Sequence, residues 1–247
     1  MTLTAGLEHD LIQATGRLGI YSLLATGFML PTENRLDVVA STLLPAVSKL
    51  DVGVEVGEAV QRLGAAMPVG AESLRRHFME LFPPIASQDA PGYETGYRGD
   101  GIFQQSAIMA DIAGFYRAHG LQSGGTERER PDHITVELEY MAFVAKKETL
   151  ALRNGAPERA AICRDTASAF LRDHLGCWGP AFGLRVRAVS SSPWYSTLGE
   201  LLALWIEWEL VAMGVEPVEV VEHPLPQDPP DDGSCGPCPV PSLGGGA

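Results

Sequence analysis

Glu129-Arg130-Pro131-Asp132-His133-Ile134-Thr135-Val136-Glu137-Leu138-Glu139-Tyr140-Met141 is the stretch on which the reading of this 247-residue chain turns. Pro131 fixes the backbone ahead of a helix, and Asp132 is a residue type that caps helix N-termini. From there the apolar residues Ile134, Leu138, Met141 and Ala145 fall three or four apart, one face of a helix running to about Arg153. Asn154-Gly155 ends it.

The same period recurs on both sides. Leu7, Leu11, Ala14, Leu18, Tyr21, Leu24 and Phe28 form one buried face before Pro31. Leu36 to Val47, Val54 to Met67 and Glu72 to Phe82 follow, the last closed by Pro83-Pro84. A stretch rich in Pro, Gly and Asp, Ile85 to Gly101, reads as irregular, and Ile102 to His119 resumes the helical spacing with Gly120 as its stop. Beyond Arg153, helices are expected over Glu158 to Leu175, Trp178 to Val189 and Leu198 to Met213. No strand is convincing. The fold class is therefore all-α, a single bundle of about nine or ten helices over residues 1–215. Residues 216–247 carry Pro, Gly, Asp and Glu without Lys or Arg past Glu216, and read as a flexible acidic tail.

Composition narrows the function classes. Hydrophobic residues make up 45% of the chain, enough for a core, and no apolar run reaches the roughly 20 residues of a membrane span. The N-terminus lacks a basic segment followed by an apolar run, and four cysteines are too few for a disulfide framework, so a cytoplasmic location is expected. The net charge of −13 argues against a nucleic-acid partner; it suits attraction of a basic ligand or solubility alone equally well.

Searches for chemistry return little. The chain has no phosphate loop, no Gly-x-Ser-x-Gly elbow, no His-Glu-x-x-His helix, and no histidine preceded three residues earlier by Glu. His133 and Glu137 stand one helical turn apart and could share a metal, but the sequence offers no third ligand. Cys235-Gly236-Pro237-Cys238 has the spacing of a redox dithiol and could also supply half a metal site, yet it lies in a Pro-rich tail rather than at a helix N-terminus. These two features define an alternative reading, a metal- or dithiol-dependent helper enzyme.

The stronger reading is a binding surface. Phe78, Leu81 and Phe82 precede a loop that brings in Tyr93, Glu94 and Tyr97, a mixture of aromatics and carboxylates suited to a peptide with apolar and basic parts. Three apolar anchors, discounted for ordering the peptide, correspond to affinity of about micromolar order.

The Glu129–Met141 stretch closely resembles the "E-x-P-D-H-L-x-x-E-L-E-F-M" segment of the TorD/DmsD/NarJ family, dedicated chaperones of molybdenum enzymes. Further features agree in order: Leu81-Phe82, Pro91-Gly92-Tyr93-Glu94-Thr95-Gly96-Tyr97, Phe115-Tyr116-Arg117 before Gly120-Leu121, and Phe170-Leu171-Arg172-Asp173-His174-Leu175 before Trp178 and Pro180-Ala181-Phe182. The likeness covers most of Leu7 to Met213 and is nearest to the chaperones of the dimethyl-sulfide-dehydrogenase, ethylbenzene-dehydrogenase, chlorate-reductase and selenate-reductase group. It implies an all-helical fold, no catalysis and no cofactor of its own. The expected partner is the twin-arginine signal peptide or apo form of a client oxidoreductase, held until molybdopterin is inserted in the client and export follows. By position the resemblance assigns peptide binding to Phe78, Leu81, Phe82, Tyr93, Pro131, Asp132 and His133. Glu94 joins them on charge grounds.

Overall fold

The computed structural model describes residues 5–48, 50, 52–83, 89–99, 101–121 and 129–221. Within these, ten α-helices are present: α1 (Ala5–Phe28), α2 (Glu33–Val38), α3 (Leu44–Val47), α4 (Val54–Ala65), α5 (Ala71–Leu81), α6 (Ile102–Ala118), α7 (Ile134–Arg153), α8 (Pro157–Phe170), α9 (Gly176–Val189) and α10 (Pro193–Met213). The all-α bundle agrees with the sequence reading. Among the described residues the sole β-type pairing is an isolated antiparallel bridge between Tyr93 and His133.

Helices α1 and α7 form the central pair, with α8 and α10 beside them and α9 packed on α10. Centrality explains their sequences. α7 buries Leu138, Tyr140, Met141, Ala142, Val144 and Ala145, residues that point in several directions, so the one-faced pattern of the sequence reading understated its burial. The core is aromatic: Trp178, Trp194, Trp205, Tyr21, Tyr195, Phe170 and Phe182 are fully buried.

Local chemistry sets the helix ends. Thr32 caps α2, its hydroxyl accepting from the Arg35 N–H at 3.2 Å. Pro157 and Pro193 stand in the first turns of α8 and α10, where a missing N–H costs nothing. Proline rigidity thus starts α10 at Pro193, five residues before the expected Leu198. Gly155, at φ +65°, supplies the left-handed residue that turns the chain out of α7.

Two π turns make continuous helices out of neighbours, so the ten segments trace eight rods. Val39–Leu43 joins α2 to α3, and the Leu44 N–H reaches back five residues to the Val39 carbonyl. Pro45 follows directly; lacking an N–H and crowding the carbonyl four residues behind it, it disfavours a regular turn there. Leu171–Leu175 joins α8 to α9 in the same way, with the Gly176 N–H bonded to the Leu171 carbonyl. A Cβ at Gly176 would collide with that carbonyl.

Glycine also sets the distance between α9 and α10. A Cβ on Gly183 would lie 2.5 Å from the Gly199 carbonyl oxygen and 3.1 Å from the Ala203 nitrogen. The two backbones are in direct contact.

The start of the expected free tail is held down. The Val218 N–H donates to the Arg172 carbonyl at 2.9 Å and the Val221 N–H to the Cys177 carbonyl at 3.1 Å, while Glu219 pairs with Arg98 at 3.1 Å. The bundle therefore engages the chain through Val221, beyond the boundary expected at 215. The remaining tail, including Cys235 and Cys238, lies outside the described residues.

Placing a methyl between α9 and α10 tests the close approach. Gly183→Ala is expected to destabilise the fold by about 1–3 kcal/mol, as overpacking of a rigid contact does. Urea unfolding measures this, and an unchanged midpoint would show that the helices separate freely.

Candidate functional site

The candidate site is built where the chain before α7 meets the chain before α6. The Ile134 N–H donates to the Gly92 carbonyl and the Glu94 N–H to the Asp132 carbonyl, each at 2.9 Å, which lays Tyr93 against His133. Tyr93 then enters a single 3-10 turn, Glu94–Gly96. The Tyr116 hydroxyl, from α6, donates to the Pro131 carbonyl at 2.8 Å and ties the third segment in.

Asp132 does not cap α7. Its side chain is fully buried and turns across to the 3-10 turn, where it accepts from the Thr95 hydroxyl at 2.7 Å and the Thr95 N–H at 3.3 Å. Arg130 completes the set, donating from Nε at 3.0 Å and from Nη2 at 2.8 Å. The cap is His133, whose Nδ1 accepts from the Thr135 N–H at 3.3 Å and lies 2.7 Å from its hydroxyl. Helix α7 consequently starts at Ile134, past the Pro131-Asp132 start expected from sequence. The reason is a turn: the His133 N–H bonds the Arg130 carbonyl at 3.1 Å, so Pro131 and Asp132 are spent in that turn.

Glu94 is also buried completely. It accepts from the Arg98 guanidinium and lies 3.2 Å from His174 Nδ1, and the opposite ring nitrogen of His174 lies 3.1 Å from Asp111. Arg98 further donates to the Asp173 carbonyl at 2.7 Å. Beside this network Glu137, fully buried, accepts from the Trp178 indole N–H at 3.2 Å through one oxygen. Burial first, and the neighbouring Glu94 second, hold the Glu137 carboxyl well above the usual carboxylate range, against the Trp178 N–H. Glu137 therefore holds its proton more tightly than an exposed carboxyl does. Arg98, His174 and Trp178 were absent from the sequence-derived site; His174 meets Glu94 from 80 residues away and Arg98 meets Glu219 from 121.

What faces solvent is smaller. The Tyr93 ring packs edge-on against His133, centroids 5.0 Å apart, with the Arg130 guanidinium 4.7 Å over the Tyr93 ring. The Tyr93 hydroxyl donates to Glu129 at 3.0 Å. Tyr93, Pro131 and His133 are half-buried, whereas Glu129 and Arg130 are exposed. Burial lowers the His133 pKa, opposed by Glu129 and Asp132, so the ring is neutral at physiological pH.

Phe78, Leu81 and Phe82 form a separate group. Leu81 is buried, and the two half-buried phenylalanines pack on each other, centroids 5.2 Å apart, and on Tyr195; Phe82 also meets Phe28 and Phe182. Tyr97 links the groups, touching Trp178 and Phe182 on the core side. The sequence-derived set thus falls into two half-buried aromatic groups, with Glu94 and Asp132 buried beneath the first.

The arrangement offers recognition rather than metal chemistry. His133 Nδ1 is engaged by Thr135 and Glu137 is turned inward to Trp178, so the two do not converge on a common ion. Among the described residues no group of three or more His, Cys, Asp and Glu side chains is placed to hold a metal. None of the described helices is long and apolar enough to cross a membrane.

A family model described as nitrate reductase delta subunit matches residues 51–183, a span that contains the whole site. A chlorate reductase assembly chaperone protein of Ideonella dechloratans is 30% identical over 154 residues, 60% of this chain and 75% of that protein. A selenate reductase assembly chaperone protein of Thauera selenatis is 30% identical over 118 residues, 48% of this chain and 59% of that protein. A perchlorate reductase assembly chaperone protein of Dechloromonas aromatica (strain RCB) is 26% identical over 225 residues, 81% of this chain and 91% of that protein.

The raised Glu137 pKa makes stability depend on pH. A carboxyl whose pKa is raised on folding binds its proton more tightly in the folded state, so stability falls as pH rises through and above the ordinary carboxylate range. Glu137→Gln keeps the shape of the protonated acid and removes that loss. Thermal melts from pH 4 to pH 9 should show the variant gaining on the parent as pH rises; parallel curves would mean that folding leaves the Glu137 carboxyl unshifted.

Proposed function

We propose that this chain, which belongs to the nitrate reductase delta subunit family, captures the twin-arginine signal peptide or the apo form of a molybdenum oxidoreductase catalytic subunit before export. The protein is an assembly chaperone of the NarJ/TorD type and not a catalyst. In this reading it acts in the cytoplasm, holds its client until molybdopterin is inserted there, and releases it to the export machinery. The relatives named for chlorate, selenate and perchlorate reductases support a client of that oxyanion-reductase group.

The observation that carries the reading is the Tyr93–His133 bridge. It fuses two segments into one aromatic surface, edged by the exposed Glu129 and Arg130, that belongs to no catalytic constellation. A twin-arginine leader offers a basic stretch followed by a moderately apolar one. The net charge of −13 attracts the first, and the Tyr93, Pro131 and His133 side chains give the second a half-buried contact. Asp132 and Glu94, being buried, act by shaping this surface from beneath.

Calorimetric titration with a synthetic leader from the neighbouring oxidoreductase tests the reading. Tyr93→Ala and His133→Ala should each weaken binding by about tenfold, near 1.4 kcal/mol; the melting temperature should stay close to the parent's for Tyr93→Ala and drop by a few degrees for His133→Ala, which also loses the α7 cap. Equal affinity in both variants would move the site elsewhere, and an absence of binding by the parent protein would refute leader capture.

A further inference from the structure

Helix α6 is packed at one end only. Its buried residues, Ile112 and Tyr116, lie in the C-terminal half. In the first turn Ile102 is 78% exposed and Phe103 91% exposed. Two large apolar side chains, adjacent and almost wholly in water, mark a contact surface more often than a fold element. By contrast Phe78, Leu81 and Phe82, the apolar anchors read from sequence, are largely occupied by Phe28, Phe182 and Tyr195.

The exposed end of α6 is continuous with the bridge surface. Met109, seven residues and two turns from Ile102, receives the Arg130 guanidinium at 3.6 Å, and Tyr116 holds Pro131. Phe103, Ala107 and Asp111 form one row, each four residues from the next. Ala107 is exposed, and Asp111, although bonded to His174, keeps 66% of its side chain in solvent. The row thus runs from an apolar end to an acidic end. Eight residues of helix rise about 12 Å, the span of about four residues of extended chain.

We propose that the Phe103–Asp111 row, with Ile102 beside its apolar end, is the ledge on which the client segment lies. A basic side chain sits at Asp111 and a bulky apolar one, about four residues away in the client, covers Ile102 and Phe103. This deepens the leader-capture reading and rests on it. The occupant is set by charge: a carboxylate at one end of an apolar row selects a segment that carries a cation and then an apolar group, on a protein whose net charge of −13 repels a second copy of itself.

Fluorescence anisotropy with a labelled synthetic twin-arginine leader, alongside sedimentation velocity of the full chain, decides the matter. Ile102→Ser/Phe103→Ser should weaken binding by about tenfold to a hundredfold with an unchanged melting temperature, because neither side chain is part of the core. Asp111→Asn should weaken it severalfold at low salt, with the difference gone at high salt. A leader whose apolar residue is moved about eight positions from its basic pair should no longer sense the Ile102/Phe103 change. If the parent protein binds the leader and the double variant binds equally well, the ledge is overturned while leader capture stands. If the parent binds no leader, both fall. A dimer that the double variant dissolves would give the ledge to a second copy instead and overturn the assigned occupant.

Discussion

Two segments nearly forty residues apart in sequence are held together by one buried carboxylate. Asp132 has no exposed surface, and a charge so placed is tolerable only when its oxygens are filled. Thr95 supplies a hydroxyl and a backbone N–H, and Arg130 supplies two guanidinium N–H groups and the compensating charge. Arg130 itself remains 46% exposed, so water screens the pair and the ion pair is worth less than its geometry implies. The greater effect lies in position. With Thr95 fixed, the 3-10 turn is fixed, and with it Tyr93 on one side and Glu94 on the other.

The acids beneath the site divide the work by environment. Asp132 meets a guanidinium; Glu94 meets a guanidinium and an imidazole. Glu137 accepts from an indole N–H, and burial first and the nearby Glu94 second raise its pKa. Both favour its protonated form, which limits the negative charge stacked in the core.

Sequence reading recovered the helices because their period depends on neighbours three and four residues apart. It grouped Tyr93 with Pro131-Asp132-His133 through a recognisable pattern, and the fold sets these segments side by side. It misjudged the role of Asp132, since a carboxylate ahead of a helix satisfies the local capping rule and nothing local reveals Thr95 across the bundle. It missed His174 for the same reason, since Glu94 and Asp111 come to it from distant segments, and it missed Arg98 although Glu94 stands only four residues before it. Phe78 and Phe82 pack on Tyr195, and Phe82 on Phe182, contacts that helical spacing alone does not reveal, and both stay half-buried. Phe103 carried no signal at all, because an apolar residue in a helix is ordinarily inside.

The π turn at Leu171–Leu175 acts as a phase shifter. One extra residue in a helical circuit rotates everything after it by about 100° relative to a regular continuation. Residues before the turn, such as Phe170, and residues after it, such as Trp178 and Phe182, can then all point into the same core, while His174 is presented to Glu94 from within the turn itself. Helix length in this segment is therefore quantised in meaning: trimming one residue would leave composition almost untouched and yet swing α9 off its two partners at once. Chains related to this one should tolerate many side-chain exchanges along that rod and very few changes in its residue count.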